Sequence, residues 1–413
     1  MRGTSFLVLA ALGLGGCGRE PDLGPPVTIA ARDAANPTVA VDGRSGRVYV
    51  SWVQMAPDSS WDVFLAAADS GAEFGPPVRV NDRPGEAMVA RENPPQVLVG
   101  ADGVVYVGWV SARTADDAPH ADVSLRLARS TDGGGTFSPA ASLDADPAVP
   151  SLANMYFDLA TAPGGAVYAS WLDLHYYTDS VAARALGRGS ESIPVPEHRV
   201  DLVVARTTDD GAGVAAAAVL DTSSCICCRT ALAVAPDGAV HALWRHVFPG
   251  DVRDFQAARS ADGAVSFTPP ARVHEDGWVL RGCPDIGPDI AVDARGAVHA
   301  AWYTGVPGRV GLWYATSADG GQTFDAPVAL LPTGHVSPSQ VKLAAAGGTV
   351  WGAWEDRRRP PTRVIFGRPG TGSTTQVGTG EFPGIAAAGR VVVVTWMEAG
   401  AVRARRAHLR AAD

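Results

Sequence analysis

The residues best suited to chemistry are thiols. The chain holds five cysteines. Three stand together in Ser224-Cys225-Ile226-Cys227-Cys228-Arg229, and another follows in Arg281-Gly282-Cys283-Pro284. Thiols so placed have three uses. They can oxidise, with Cys283 bonded to Cys227 or Cys228 and the other two pairing locally or staying free. As thiolates they can join His246 or His274 around a soft metal, copper or zinc. A strained local bond at Cys225 would be reducible and open a redox role. Disulfides are the preferred reading and fit an exported protein. Other reactive side chains cluster in the same part of the chain: Arg229, Arg245-His246, Arg253-Asp254, His274-Glu275-Asp276, Tyr303 and Glu355-Asp356-Arg357.

The export expectation comes from the other end. Arg2 is followed by the apolar run Phe6-Leu7-Val8-Leu9-Ala10-Ala11-Leu12 and then Leu14-Gly15-Gly16-Cys17. The run is too short to span a bilayer as a stable anchor, so it reads as a signal peptide. Its ending resembles the lipobox of bacterial lipoproteins, which implies cleavage before Cys17 and a diacylglycerol on that thiol. Residues 1–16 are then the signal, 17–26 a Pro- and Gly-rich tether, and 27–413 a single folded domain. The expected location is the bacterial cell envelope, lipid-anchored on the periplasmic or outer surface, with the membrane as a partner. Nucleic acid is not expected as a partner. The formal charge is −9, and no basic run stands out beyond Arg357-Arg358-Arg359.

Elements that could position these side chains recur along the chain. Seven segments share an apolar strand, a Gly-containing turn and a strand ending in Trp: Trp52, Trp109, Trp171, Trp244, Trp302, Trp354 and Trp396. The copy Gln96-Val97-Leu98-Val99, Asp102-Gly103, Val105-Tyr106-Val107-Gly108-Trp109 is typical. Alternating apolar and small residues around an Asp-Gly turn make a β-hairpin. The tryptophans advance by 57, 62, 73, 58, 52 and 42 residues, an all-β repeat.

A second motif follows each hairpin. Ser130-Thr131-Asp132-Gly133-Gly134-Gly135-Thr136-Phe137 and Ser317-Ala318-Asp319-Gly320-Gly321-Gln322-Thr323-Phe324 are the clearest copies. The stretch around Asp262 is slightly worn, and those at Asp69 and Asp209 are degenerate. The physics is a turn: the carboxylate accepts N–H groups of its own loop and Gly supplies positive φ. These motifs resemble the Asp boxes of the sialidase superfamily. The Cys-x-Cys-Cys and Gly-Cys-Pro loops resemble a subset of bacterial propeller lipoproteins labelled exo-α-sialidase-like. The resemblance implies a β-propeller, with strands A and B around the Gly turn, C before the Asp box and D after it. The hairpin count gives seven four-stranded blades; six, as in sialidases, is the alternative. The last unit lacks a D strand, and Pro26-Val27-Thr28-Ile29-Ala30 is a strand without a hairpin. An unpaired edge is unfavourable, so the N-terminal strand should close the last blade.

This topology puts D-to-A and B-to-C loops on one rim, where the long loops all fall. Sialidases bind there with three Arg and cleave with a Tyr–Glu pair and an Asp. The resemblance therefore offers Arg91, Arg229, Arg245, Arg281, Arg357, Tyr303, Glu355 and Asp254 as catalytic candidates. Glu92, Tyr176, Tyr177 and His335 lie in the same loops. No Arg-Ile-Pro signature precedes the first A strand, where Arg32 is the nearest basic residue, and no motif matches a Tyr to the nucleophile. Fold transfers more readily than activity. The leading expectation is a noncatalytic module binding a glycan or protein ligand at this rim. The alternatives are an exo-sialidase-type hydrolase and a metal or redox protein built on Cys225–Cys283.

Overall fold

The computed structural model describes residues 21–113, 122–143, 154–174, 199–208, 211–331, 337–346 and 348–409. Cys17, Tyr176, Tyr177, Asp209 and His335 lie outside the described residues. Seven sheets form a ring, and no helix among the described residues is long and apolar enough to cross a membrane. The first blade runs Ala34–Val41, Val48–Met55, Trp61–Ala68 and Val78–Arg79, each strand antiparallel to the one before. Five further blades repeat this order, starting at Gln96, Asn154, Ala231, Asp289 and Val341. The A strands line the centre, each packed against the next, with that of blade seven returning to that of blade one.

Blade seven is composite. Glu381–Ala388, Val391–Glu398 and Ala401–His408 come from the C-terminal end, and the outer edge is covered by Val27–Ala30 and Asp22–Leu23. Val27 pairs with Ala404 and Thr28 with Arg403; farther along, Leu23 pairs with Ala407. The Arg405 Nε donates to the Gly24 carbonyl at 2.7 Å. The expected closure by the N-terminal strand is thus present, because the edge of Ala401–His408 would otherwise leave its backbone groups unpaired. Deleting residues 1–31 should uncover the apolar surface beneath Ile29 and Ala30, which packs with Trp52 and Val402. By area that loss is worth several kcal/mol. An unchanged melting temperature in the truncated protein would show that the ring closes without this strand.

The seven hairpin tryptophans are at most 2% exposed. Each packs on the preceding blade: Trp109 meets Val63 and Leu65, Trp244 meets Leu202 and Val204, and Trp396 meets Val364 and Phe366. The blades therefore cohere through a large aromatic wedged into every seam.

The Asp boxes act as turn staples. Asp132 Oδ1 accepts the N–H groups of Gly135 and Thr136 at 3.0 and 2.9 Å, and Oδ2 accepts the Thr136 hydroxyl at 2.7 Å. Asp262 and Asp319 repeat this pattern. Gly133 and Gly134 adopt positive φ of 73° and 88°, a region that excludes most side chains. Hydrogen bonds from a Thr or Ser hydroxyl and from the loop backbone favour the ionised carboxylate, lowering Asp262 and Asp319 to about 2. Asp69, in a degenerate copy, instead pairs with Arg47 at 2.6 Å.

Candidate functional site

The A strands carry polar side chains where a buried strand would ordinarily be apolar. Gln96 accepts the Leu159 N–H at 3.1 Å, Asp158 that of Leu232 at 2.7 Å, and Asp289 that of Leu343 at 2.6 Å. Thr38 donates to the Pro95 carbonyl at 2.7 Å. Each of these bonds joins one blade to the next around the channel. Lys342 Nζ adds a 2.9 Å ion pair with Asp289. Burial raises the Asp158 carboxyl above the usual range.

Toward the long-loop rim, two acidic side chains gather the blades across the centre. Glu92, 1% exposed, leaves blade two and meets blades four, five and six. Its Oε2 accepts the Gly287 N–H at 2.7 Å and lies 3.9 Å from the Arg229 guanidinium; its Oε1 accepts from the Gln340 amide. Glu355, fully buried, accepts Arg357 Nε at 2.7 Å, the Gln340 N–H at 3.0 Å and the Phe382 N–H at 2.9 Å. Arg91 reaches Glu355 from blade two at 3.5 Å and lies over the Phe382 ring. Asn93 accepts the Tyr156 N–H at 2.5 Å. These carboxylates are therefore occupied by cations and backbone N–H groups from facing blades.

The candidate residues divide into separate places. Arg91, Arg229, Arg357 and Glu355 meet around the channel, together with Glu92. Arg245, Tyr303 and Asp254 lie in the seam between blades four and five. There Arg245 is 2% exposed, donates to the carbonyls of Arg253 and Tyr303, each at 2.9 Å, and covers the Phe255 and Trp278 rings. Asp254 accepts the N–H groups of Gly277 and Trp278 and so shapes the loop entering blade five. Burial raises its carboxyl above the usual range. Tyr303, 4% exposed, packs edge-on against Trp278. Arg281 is at the surface, its side chain 90% exposed, and Arg32 likewise at 88%. Gln340, Asn93 and the A-strand Asp158 and Asp289 were not among the residues singled out by sequence. The signal for Asp158 and Asp289 is a polar residue within an otherwise apolar A strand, at the position that Thr38 and Gln96 hold in blades one and two.

The cysteines lie where the A strands of blades four and five begin. Cys227 and Cys283 form a disulfide with Cα atoms 6.0 Å apart, tying the entries of the two blades. Cys225 and Cys228 are free and buried, their sulfurs 3.2 Å apart. The sulfurs of Cys225, Cys227 and Cys228 all lie within 4.8 Å of one another, a group that could hold a metal ion and that includes neither histidine. His246 and His274 are instead bonded through Nδ1 to Asp221 and Asp276, at 2.7 and 2.9 Å. The same two carboxylates accept the indole N–H groups of Trp244 and Trp302. A soft ion such as copper or zinc would suit thiolates, but Cys227 would first have to leave its disulfide.

On the opposite rim the channel opens into a cavity of about 620 Å³ lined by the A-to-B turns, among them Asp42, Arg44 and Asp293.

No protein-family model matches the chain, and no curated protein matches it. Solved structures do. A Hadza microbial sialidase is 16% identical with a TM-score of 0.52, over 88% of this chain and 76% of that one. A PL25 ulvan lyase bound to a GlcA(1-4)Rha3S unit is 10% identical with a TM-score of 0.53, covering 91% and 94%. The polysaccharide lyase Uly1 gives 12% and 0.51, covering 90% of each. The chain is a seven-bladed β-propeller, similar in fold to this sialidase and to both lyases. At these identities the likeness speaks for the fold alone.

Proposed function

We propose that this protein is a noncatalytic, sialidase-like propeller that binds a glycan or protein ligand with the rim of D-to-A and B-to-C loops. The observation that carries this reading is the state of the channel carboxylates. A glycosidase of sialidase type needs its Arg groups open to a substrate carboxylate and an acid free to move a proton. Here Glu92 and Glu355 are buried and take donors from five blades, and their arginines are spent on them. Tyr303 and Asp254 are held in a different seam. A ring locked in this way supports taking the rim loops as the recognition surface, since rigid scaffolds carry binding on their loops.

The test pairs turnover with binding. Sialoside reporters and acidic polysaccharides should show no cleavage above a heat-denatured control, while a glycan array or calorimetry with the same compounds should register a ligand on the folded chain. Reporter hydrolysis that is abolished by Glu355→Gln would overturn the noncatalytic reading in favour of a hydrolase. Glycans are tried first because the solved neighbours of this fold include a sialidase and an ulvan lyase.

The lipobox-like Gly15-Gly16-Cys17 supports placing this module on a membrane of the cell envelope through a lipid on Cys17. Cys17→Ala should release the protein into the soluble fraction and abolish lipid labelling. Continued detergent-dependent fractionation of that variant would sink the anchor.

A further inference from the structure

The proposed ligand binding assigns no role to the cysteines, and their arrangement is not that of inert staples. The disulfide has an inner and an outer sulfur: Cys227 is 4% exposed, whereas Cys283 is at the surface. Behind Cys227 lie the two free thiols, at 1% and 2% exposure, within 4.8 Å of it. Cys225 and Cys228 are separated by two residues in a turn closed by the Cys228 N–H and the Cys225 carbonyl at 3.3 Å. Their sulfurs, 3.2 Å apart, sit where a local bond between them needs little backbone movement.

We propose that Cys225, Cys227, Cys228 and Cys283 form a thiol–disulfide exchange site, passing an electron pair from the buried Cys225/Cys228 dithiol to a disulfide-bearing protein that reaches Cys283. In the first step the Cys225 thiolate attacks the Cys227 sulfur. The Cys225–Cys227 bond forms, the Cys227–Cys283 bond breaks, and Cys283 leaves as an exposed thiolate. Cys228 then attacks the Cys225 sulfur, its proton passing to the Cys227 thiolate it displaces. The Cys225/Cys228 pair is now oxidised by two electrons and the Cys227/Cys283 pair reduced by two. The Cys283 thiolate next attacks the partner disulfide, forming a mixed disulfide and releasing one partner thiol. Cys227 resolves it, restoring the Cys227–Cys283 bond and releasing the second. Two protein thiols and one partner disulfide have become one protein disulfide and two partner thiols.

The surroundings assign the order of attack. Arg253 Nη1 donates to the Cys225 sulfur at 3.1 Å, and Arg253 Nε donates to the Leu280 carbonyl of the loop that carries Cys283. The hydrogen bond from Cys228 holds the Cys225 thiol well below the usual range, helped by the charges of Arg245 and Arg253. Burial, and then the neighbouring Cys225, push Cys228 up. A thiol whose ionised form is favoured, beside one whose ionised form is disfavoured, supplies the attacking and resolving parts that exchange requires.

The full chain, purified without reductant, is held folded with N-ethylmaleimide, quenched, digested and mapped by mass spectrometry. A static disulfide leaves no exposed thiol among the described residues. Exchange exposes Cys283, so the expected product is alkylated Cys283 together with a Cys225–Cys228 bond. In Cys225→Ser the Cys283 alkylation rate should fall about tenfold or more, since the attacking thiolate is gone. Cys228→Ser should still be alkylated at Cys283 but retain a Cys225–Cys227 bond. Should Cys225→Ser fail to fold, Arg253→Gln carries the test, and Cys283 alkylation should slow several-fold. With oxidised glutathione as the probe disulfide, each wild-type chain should release two reduced glutathione molecules, and Cys283→Ser should release none by this route. Folded protein whose Cys283 resists alkylation, equal alkylation in Cys225→Ser, or stoichiometric copper or zinc bound by these thiols would each overturn the proposal.

Discussion

Replacing Glu92 by alanine is expected to destabilise the protein by about 3–5 kcal/mol, the usual cost of breaking a buried ion pair from one side. The reason is what remains. Arg229, 2% exposed, would keep its charge in the interior with, among the described residues, only the Pro288 carbonyl at 3.3 Å as acceptor. The Gly287 N–H and the Gln340 amide would lose their acceptor in the same place. Because Glu92 connects blade two to blades four, five and six, the loss falls on the closure of the ring and not on one hairpin. Urea unfolding followed by tryptophan fluorescence measures it directly. A loss under about 1 kcal/mol would place the carboxylate among groups free to serve a ligand, and would remove the main support for a noncatalytic channel.

Trp244→Ala should cost about 3–5 kcal/mol, as truncations of large core aromatics do. Trp244 fills the seam between blades three and four, against Leu202, Val204 and Leu232. Its indole N–H also donates to Asp221 at 2.6 Å, the carboxylate that holds His246. Truncation leaves a cavity that rigid neighbouring sheets cannot collapse to fill. Trp244→Phe separates the two contributions, since it retains most of the volume but not the donor. The same unfolding measurement, read by circular dichroism, should show the phenylalanine variant losing less than half as much. An alanine variant within about 1 kcal/mol of the parent would show that the seams do not rest on these aromatics.

Much of the fold is legible in the chain because its signals are local. A hairpin is fixed by alternation around a Gly turn. An Asp box is fixed by a carboxylate and glycines within one loop. Both repeat, so blade number follows from counting tryptophans. Closure by Val27–Ala30 is legible for a related reason, since an incomplete blade and an orphan strand demand one another. Local pattern also brought Cys283 to the Cys225–Cys228 entry, for both stretches precede A strands of adjacent blades.

The candidate site was legible only as a list of residue types on one rim. Sequence pointed to Arg229, Arg245 and Arg357 on equal terms. The structure gives Arg229 to Glu92, Arg357 to Glu355 and Arg245 to two backbone carbonyls in a seam. His246 and His274, set beside the thiols by sequence, are held by Asp221 and Asp276.

What the sequence by itself determined is therefore the all-β repeat, its seven blades, the buried tryptophans, the Asp-box turns and the stretch of chain that must meet Cys283. What only the tertiary structure decided is partnership. Cys227, not Cys228, takes Cys283. Arg91 finds Glu355 across 264 residues, and Glu92 finds Gln340 across 248 and Gly287 across 195. The physical reason is that strand and turn patterns are short-range, set by backbone sterics and alternation. Pairing across a closed ring depends instead on which side chains the twist and curvature of seven sheets aim at the same few ångströms, where burial makes an unpartnered donor or charge costly.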